Sequence, residues 1–224
     1  MAGLIEFKNV CLSMEDGRPI FDDACISLKA GERILLTAPV ASGKSDFVRL
    51  IAGLRRPEGG ALNILGVDLA VCGAEELTAV RVRMGFVFQE NILISNLRVI
   101  ENVALPLLYH LGQSYEAHME AAERLLLRAG FRGDPWAMPG PLPLYVKKEV
   151  AVARALALSP QIVVCENLTE AMTGSEKESL CALLVDYHEA EPDRLLVFTA
   201  DDAGDAALLR PSRRMEIRDF RFAE

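Results

Sequence analysis

The chain lacks any apolar run approaching the roughly 18 residues that span a bilayer. Stretches such as Ile34–Leu36, Leu125–Leu127 and Ile162–Cys165 are far shorter. Positive charge is scarce: 24 Lys and Arg stand against 32 Asp and Glu, a formal charge of −8. A general nucleic-acid binder needs a basic surface, so no nucleic-acid partner is expected. Cysteine is sparse, odd in number and without metal-ligand spacing (Cys11, Cys25, Cys72, Cys165, Cys181). That excludes a zinc ribbon or a disulfide framework and suits small apolar roles in a reducing compartment. His110, His118 and His188 are isolated and read as surface residues. The N-terminal residues offer neither a basic start nor an apolar segment, so no signal peptide is expected. Hydrophobic residues reach 51% and charged residues 25%, enough for a packed core and unlike disordered or low-complexity chains. The 224 residues suit one large domain or two small ones. A soluble, acidic, intracellular globular protein is the expectation.

Alternating strand and helix signals predict an α/β fold. Ile5, Phe7 and Val10 suggest a first strand and Ile20–Leu28 a second. Ile34–Thr37 is a short apolar run of the kind buried in parallel sheets. Phe47, Leu50 and Ile51 then fall on one helical face, stopped by Gly53, and Pro57–Asp68 reads as a turn-and-strand unit. From Asn91 to about Pro143 the pattern is helical, with Ser114 a candidate N-cap and Gly130 a stop. The four prolines of Pro135–Pro143 predict a loop. A helix over Lys147–Leu158, a strand over Ile162–Cys165, a helix opened by a Ser175/Glu178 capping box and a strand over Leu195–Phe198 complete the pattern.

The strongest chemical signal is Ala38-Pro39-Val40-Ala41-Ser42-Gly43-Lys44-Ser45, between the buried strand and a helix N-terminus. Backbone N–H groups there form an anion nest reinforced by the helix dipole. Lys44 suits the β- and γ-phosphates of a nucleotide, and the Ser45 hydroxyl suits Mg²⁺. The GxxxxGK[ST] pattern is met except at its first glycine, here Ala38. The plain alternative is a βα turn with a surface lysine.

With these residues the chain resembles the ATP-binding subunit of ABC transporters over nearly its whole length. Phe86-Val87-Phe88-Gln89 is similar to the family's Q-loop, in which Gln89 would link Mg²⁺ to the permease. Val99-Ile100-Glu101-Asn102-Val103-Ala104-Leu105-Pro106 resembles the start of the helical subdomain. Val150–Leu156 resembles the helix after the signature motif, and Pro160–Val164 the Walker B strand. The Asn102–Leu107 stretch is similar to bacterial ATPases serving lipid or lipoprotein trafficking. The resemblance implies a P-loop NTPase (RecA-like) core with an N-terminal antiparallel β subdomain and an inserted α-helical subdomain. Residues 1–224 would form a single ATP-binding domain, with 1–90 and 146–224 as β subdomain plus core and about 91–145 helical. ATP or ADP with Mg²⁺ is the implied ligand, held by residues 38–46 and, for the metal, by Ser45, Gln89 and Glu166.

Departures from the family fall on catalytic positions. Its Walker B motif ends in a metal-supporting Asp and a water-activating Glu; here these are Glu166 and Asn167. Asn167 cannot take up a proton near neutral pH. The switch His expected after Thr199 is Ala200, and the signature Leu-Ser-Gly-Gly-Gln becomes Leu142-Pro143-Leu144-Tyr145-Val146. Glycines there let the backbone approach a phosphate, whereas Pro143 removes a donor and Leu144 and Tyr145 add bulk. Met14 stands where an aromatic stacks on adenine, and Asp46 brings a negative charge beside the phosphate loop. The resemblance with these departures implies a degenerate subunit. It would bind nucleotide with little or no hydrolysis and act as a docking or regulatory partner of a membrane permease. Its expected place is the inner face of the cell membrane, as a homodimer or a heterodimer with a second ATP-binding subunit. A divergent active ATPase, with Glu166, Glu90 or Asp201 as base, and a scaffold without nucleotide are the alternatives.

Overall fold

The computed structural model describes residues 3–39, 42–90, 93–170 and 172–223. Its elements run β1 (Ile5–Ser13), β2 (Pro19–Leu28), β3 (Arg33–Thr37), α1 (Lys44–Ile51), β4 (Gly59–Ile64), β5 (Val67–Asp68), α2 (Ala74–Val82), β6 (Met84–Val87), α3 (Val99–His110), α4 (Tyr115–Arg128), α5 (Leu144–Ala155), β7 (Ile162–Glu166), α6 (Gly174–Glu189), β8 (Leu195–Ala200), α7 (Ala206–Leu209), β9 (Arg213–Arg218) and β10 (Arg221–Ala223). The α/β alternation expected from the sequence is therefore present. Among the described residues no helix is long and apolar enough to cross a membrane.

Two sheets carry the fold. The N-terminal sheet is antiparallel, in the order β2-β1-β4-β5. The larger sheet runs β10-β9-β3-β8-β7-β6; its four pairings among β9, β3, β8, β7 and β6 are parallel, and β10 closes the edge antiparallel. All five residues of β7 are buried, as a strand covered on both faces requires. An aromatic cluster joins the sheets to α1. Phe7 stacks on Phe47 at 5.6 Å, Phe21 on Phe222 at 5.4 Å, and Phe7 meets Phe222 edge-on at 5.3 Å. Such ring pairs add about 0.5–1.5 kcal/mol each beyond their buried area, and here they fix the helix that opens at Lys44.

Helices α3, α4 and α5 share a core of Val99, Val103, Met119, Ala122, Leu126, Val150 and Ala153. Buried Asn102 ties the preceding loop to α3: its Nδ2 donates to the carbonyls of Ile94, Leu97 and Arg98, and its Oδ1 accepts from Ile94 N at 2.7 Å. Ser114 caps α4 by accepting from Ala117 N, and Gly130, at φ 98, ends it.

Four local expectations are corrected. Helix α5 begins at Leu144, three residues before the predicted Lys147, because Pro143 sits at the N-cap, where its missing N–H is no loss. Helix α6 is entered from Thr173 rather than from a Ser175 cap. His118 is buried, since it lies four residues before Ala122 and eight before Leu126 on the inward stripe of α4. His188 is buried beside Arg33, which with desolvation lowers its pKa. Cys72, Cys165 and Cys181 take the expected core positions, while Cys25 is exposed.

Candidate functional site

Parallel register sets the site. Thr37 pairs with Ala200, Glu166 with Thr199, and Val87 with Cys165. The loops after β3, β8, β7 and β6 therefore leave one edge of the sheet side by side. This is the crevice outside the carboxyl ends of the strands where open α/β folds gather ligand groups.

From β3 the chain passes Ala38 and Pro39 and enters α1 at Gly43. Gly43 has φ 95, and a Cβ there would stand 3.0 Å from Ile20 Cγ2, so glycine answers both the backbone and the space. Val40 and Ala41 of the predicted loop lie outside the described residues. Buried Lys44 donates from Nζ to the Ala38 carbonyl and to the Asp201 carboxylate. A cleft of about 290 Å³ is lined by Met14, Ser42, Gly43, Lys44, Ser45, Asp46, Gln89, Asn167 and Asp201. A neighbouring cleft of about 120 Å³ joins Ser45, Gln89 and Glu166.

Of the sequence-predicted residues, Ser42, Gly43, Lys44, Ser45, Asp46, Gln89, Glu166 and Asn167 line these two clefts, with two changes of emphasis. Asp46 was expected to set a negative charge against phosphate; its carboxylate lies 3.1 Å from Arg55 Nη1 and 3.8 Å from Arg49 Nη1, which compensate it. The Gln89 side chain donates to Glu170 Oε2 at 2.9 Å, while its backbone N–H donates to Glu166 Oε2 at 3.3 Å. Asn167 adopts φ 44, a left-handed conformation that Asn tolerates well. Its N–H donates to Thr199 O at 3.0 Å, and its Oδ1 has no hydrogen-bond partner among the described residues. Hard oxygen donors on Ser45, Gln89 and Glu166, together with this orphaned acceptor, suit Mg²⁺ and its waters. The nucleotide-type donor set therefore fits the residues present. Pro143 and Leu144 lie exposed at the start of α5, whereas Tyr145, Val146 and Leu142 pack partly onto the core.

Three contributors escaped sequence reasoning. Lys148 is buried on α5 and donates to the carbonyls of Asn167 (2.7 Å), Leu168 (2.8 Å) and Glu170 (2.7 Å). It fastens α5 to the loop after β7; a lysine where helical spacing demands an inward residue was its signal. Glu170 receives Gln89. Phe220, on the β9–β10 turn, lines with Met14, Ser42 and Gly43 a cleft of about 180 Å³ adjoining the P-loop.

Beside Lys148, Glu149 is buried against Gly130 at the C-terminal end of α4. Burial pushes its carboxyl up to about 7, with Arg132 opposing. From about pH 4.5 to pH 7 the folded chain keeps a proton that the unfolded chain releases, so stability falls as pH rises through that window. Glu149→Gln should remove this loss. The unfolding free energy of the parent from urea titration is expected to drop by about 1–3 kcal/mol relative to the variant between pH 4.5 and pH 8. Parallel profiles would contradict the burial.

The chain's residues 21–170 match the family model described as ABC transporter. It is 31% identical over 199 residues to "Probable ribonucleotide transport ATP-binding protein mkl" of Mycobacterium leprae, covering 89% of this chain and 57% of that protein. The chain thus spans little more than half of that relative. It is 31% identical over 194 residues to "Lipoprotein-releasing system ATP-binding protein LolD" of Chromohalobacter salexigens, covering 79% of this chain and 81% of that protein. A solved dimer of the ATP-binding cassette MJ0796, in a post-hydrolysis state bound to ADP and Pi, superposes with a TM-score of 0.89 at 28% identity, covering 98% of this chain and 97% of that one. With motif order, sheet topology and these likenesses in agreement, the chain belongs to the ABC transporter family and has the P-loop NTPase fold of its ATP-binding cassettes.

Proposed function

We propose that the chain is a degenerate nucleotide-binding subunit of an ABC transporter, which binds ATP or ADP with Mg²⁺, turns it over slowly or not at all, and serves as a docking or regulatory partner of a membrane permease. The observation that carries this reading is the pairing of a retained phosphate cradle (Gly43, Lys44, Ser45) with side chains unable to do proton chemistry beside it (Asn167, Ala200). Ser45, Gln89 and Glu166 would hold Mg²⁺, which supplies charge neutralisation for the phosphates. Lys44 binds phosphate; residues 42–45 orient it through the N-terminus of α1.

Magnitudes support slow turnover. Loss of a general base costs about 10²–10⁴ in rate, and loss of pre-organised charge stabilisation on the order of 10²–10³. These do not simply multiply, yet ~10⁴ off a typical rate of about 10 s⁻¹ leaves roughly 10⁻³ s⁻¹. A second cassette does not repair this. In the family each site joins Walker motifs of one subunit to the signature of the other. One mixed site inherits Asn167 and Ala200, the other inherits Pro143-Leu144-Tyr145, and a homodimer combines both defects. Among the alternative bases, Asp201 is engaged by Lys44 and Glu166 by the Gln89 backbone.

The dimeric MJ0796 cassette and the transport names of the relatives support a permease-bound dimer on the inner face of the membrane. The chain purified from its native host should carry both a membrane permease and bound nucleotide. Recovery free of both contradicts the reading.

A further inference from the structure

Lys44 is the cation of the P-loop cleft, and in this fold it already has an anion. Its buried ammonium donates to Asp201, a carboxylate with 53% of its side chain exposed, and to the Ala38 carbonyl. The contact follows from the sheet: Thr37 pairs with Ala200, and Ala38 N donates to Ala200 O at 3.3 Å, so the residue after β8 arrives at the base of the loop. Asp201 also lines the cleft itself, together with Ser42, Gly43, Ser45 and Asn167.

The neighbourhood gives a third phosphate little compensation. Ala200 contributes a methyl group and Asn167 a neutral amide. Asp202 and Asp205 line the adjoining cleft with Asp201, and the Lys177 there is paired with Asp205 at 2.9 Å. Two inner phosphates would instead fall to the backbone N–H groups that open α1, and among the described residues the Asp201 carboxylate is engaged by Lys44 and not by those groups. A diphosphate can share Lys44 with Asp201; a terminal third phosphate has to displace that carboxylate or lie against its charge.

We propose that Asp201 makes this site select nucleoside diphosphates over nucleoside triphosphates, by engaging Lys44 where a third phosphate requires it. The proposal rests on the reading that the chain binds nucleotide.

Calorimetric titration of the full chain with Mg²⁺–ADP and with the Mg²⁺ complex of a β,γ-imido ATP analogue tests it, on the parent, Asp201→Asn and Asp201→Ala. The parent is expected to bind ADP at least about tenfold tighter than the analogue, the value of one charge-assisted hydrogen bond. Both variants should tighten the analogue by about tenfold and leave ADP within about threefold. Equal or tighter binding of the analogue by the parent overturns the proposal, even if a variant proves unstable. So does a parent ratio that both variants preserve. Binding of ADP without discrimination overturns the role of Asp201 alone, whereas no binding of either nucleotide overturns the nucleotide-binding reading and this proposal together.

Discussion

Lys148→Met should destabilise the chain by about 3–5 kcal/mol, the range seen when one partner of a buried polar network is removed. Methionine keeps the apolar stem, so packing along α5 survives and the loss isolates the amine. That amine donates to the carbonyls of Asn167, Leu168 and Glu170. The carbonyls of Asn167 and Leu168, left buried without that donor, cost about 1–3 kcal/mol each. Burial draws the Lys148 pKa down to about 8, opposed by the Glu170 carboxylate, so at pH 7 it still holds three protons for three acceptors. Urea unfolding at pH 7 provides the measurement. A loss below about 1 kcal/mol, the worth of a single ordinary hydrogen bond, would contradict the account of this residue as the tie between α5 and the loop after β7.

Asn167→Glu combined with Ala200→His should raise ATP turnover by about 10²–10⁴ when the chain is paired with a cassette whose motifs are complete. The pair returns a proton acceptor and a phosphate-facing imidazole to one composite site, which takes its signature from the intact partner. The same double variant as a homodimer should stay slow, because Pro143-Leu144-Tyr145 still occupies the signature position of both sites. The backbone at 167 is held by Thr199 O and by Lys148, so the new carboxylate starts from a fixed Cα. At φ 44 a glutamate is less at ease than asparagine, by roughly 1–2 kcal/mol, and a lower melting temperature should accompany the gain in rate. Single-turnover phosphate release distinguishes the two dimers; equal rates in both would contradict the composite-site argument.

What was legible in the sequence was local. Ile34–Thr37 followed by Gly43-Lys44-Ser45 is a strand, loop and helix in contiguous residues, and it stands where the pattern puts it. Ser114 caps α4 for the same reason: the N-cap bond reaches only three residues. The Lys44–Asp201 pair joins residues 157 apart and depends on β8 lying next to β3, which no local signal encodes. Lys148 and Glu149 look like a charged surface pair until α5 is packed on the loop after β7 and on α4. His118 was legible in principle from its spacing to Ala122 and Leu126, but its polarity argued for the surface. The short helix α2 buries Val80 alone, too little periodicity to stand out from a loop. The compensation of Asp46 required Arg55, brought back by the turn after α1.

The central claim is that the site binds without turning over, and steady-state phosphate release by the chain reconstituted with its permease in a lipid bilayer tests it most directly. The account predicts roughly 10⁻³ s⁻¹ at saturating Mg²⁺–ATP; a rate of about 1 s⁻¹ or more, abolished by Lys44→Ala, would contradict it.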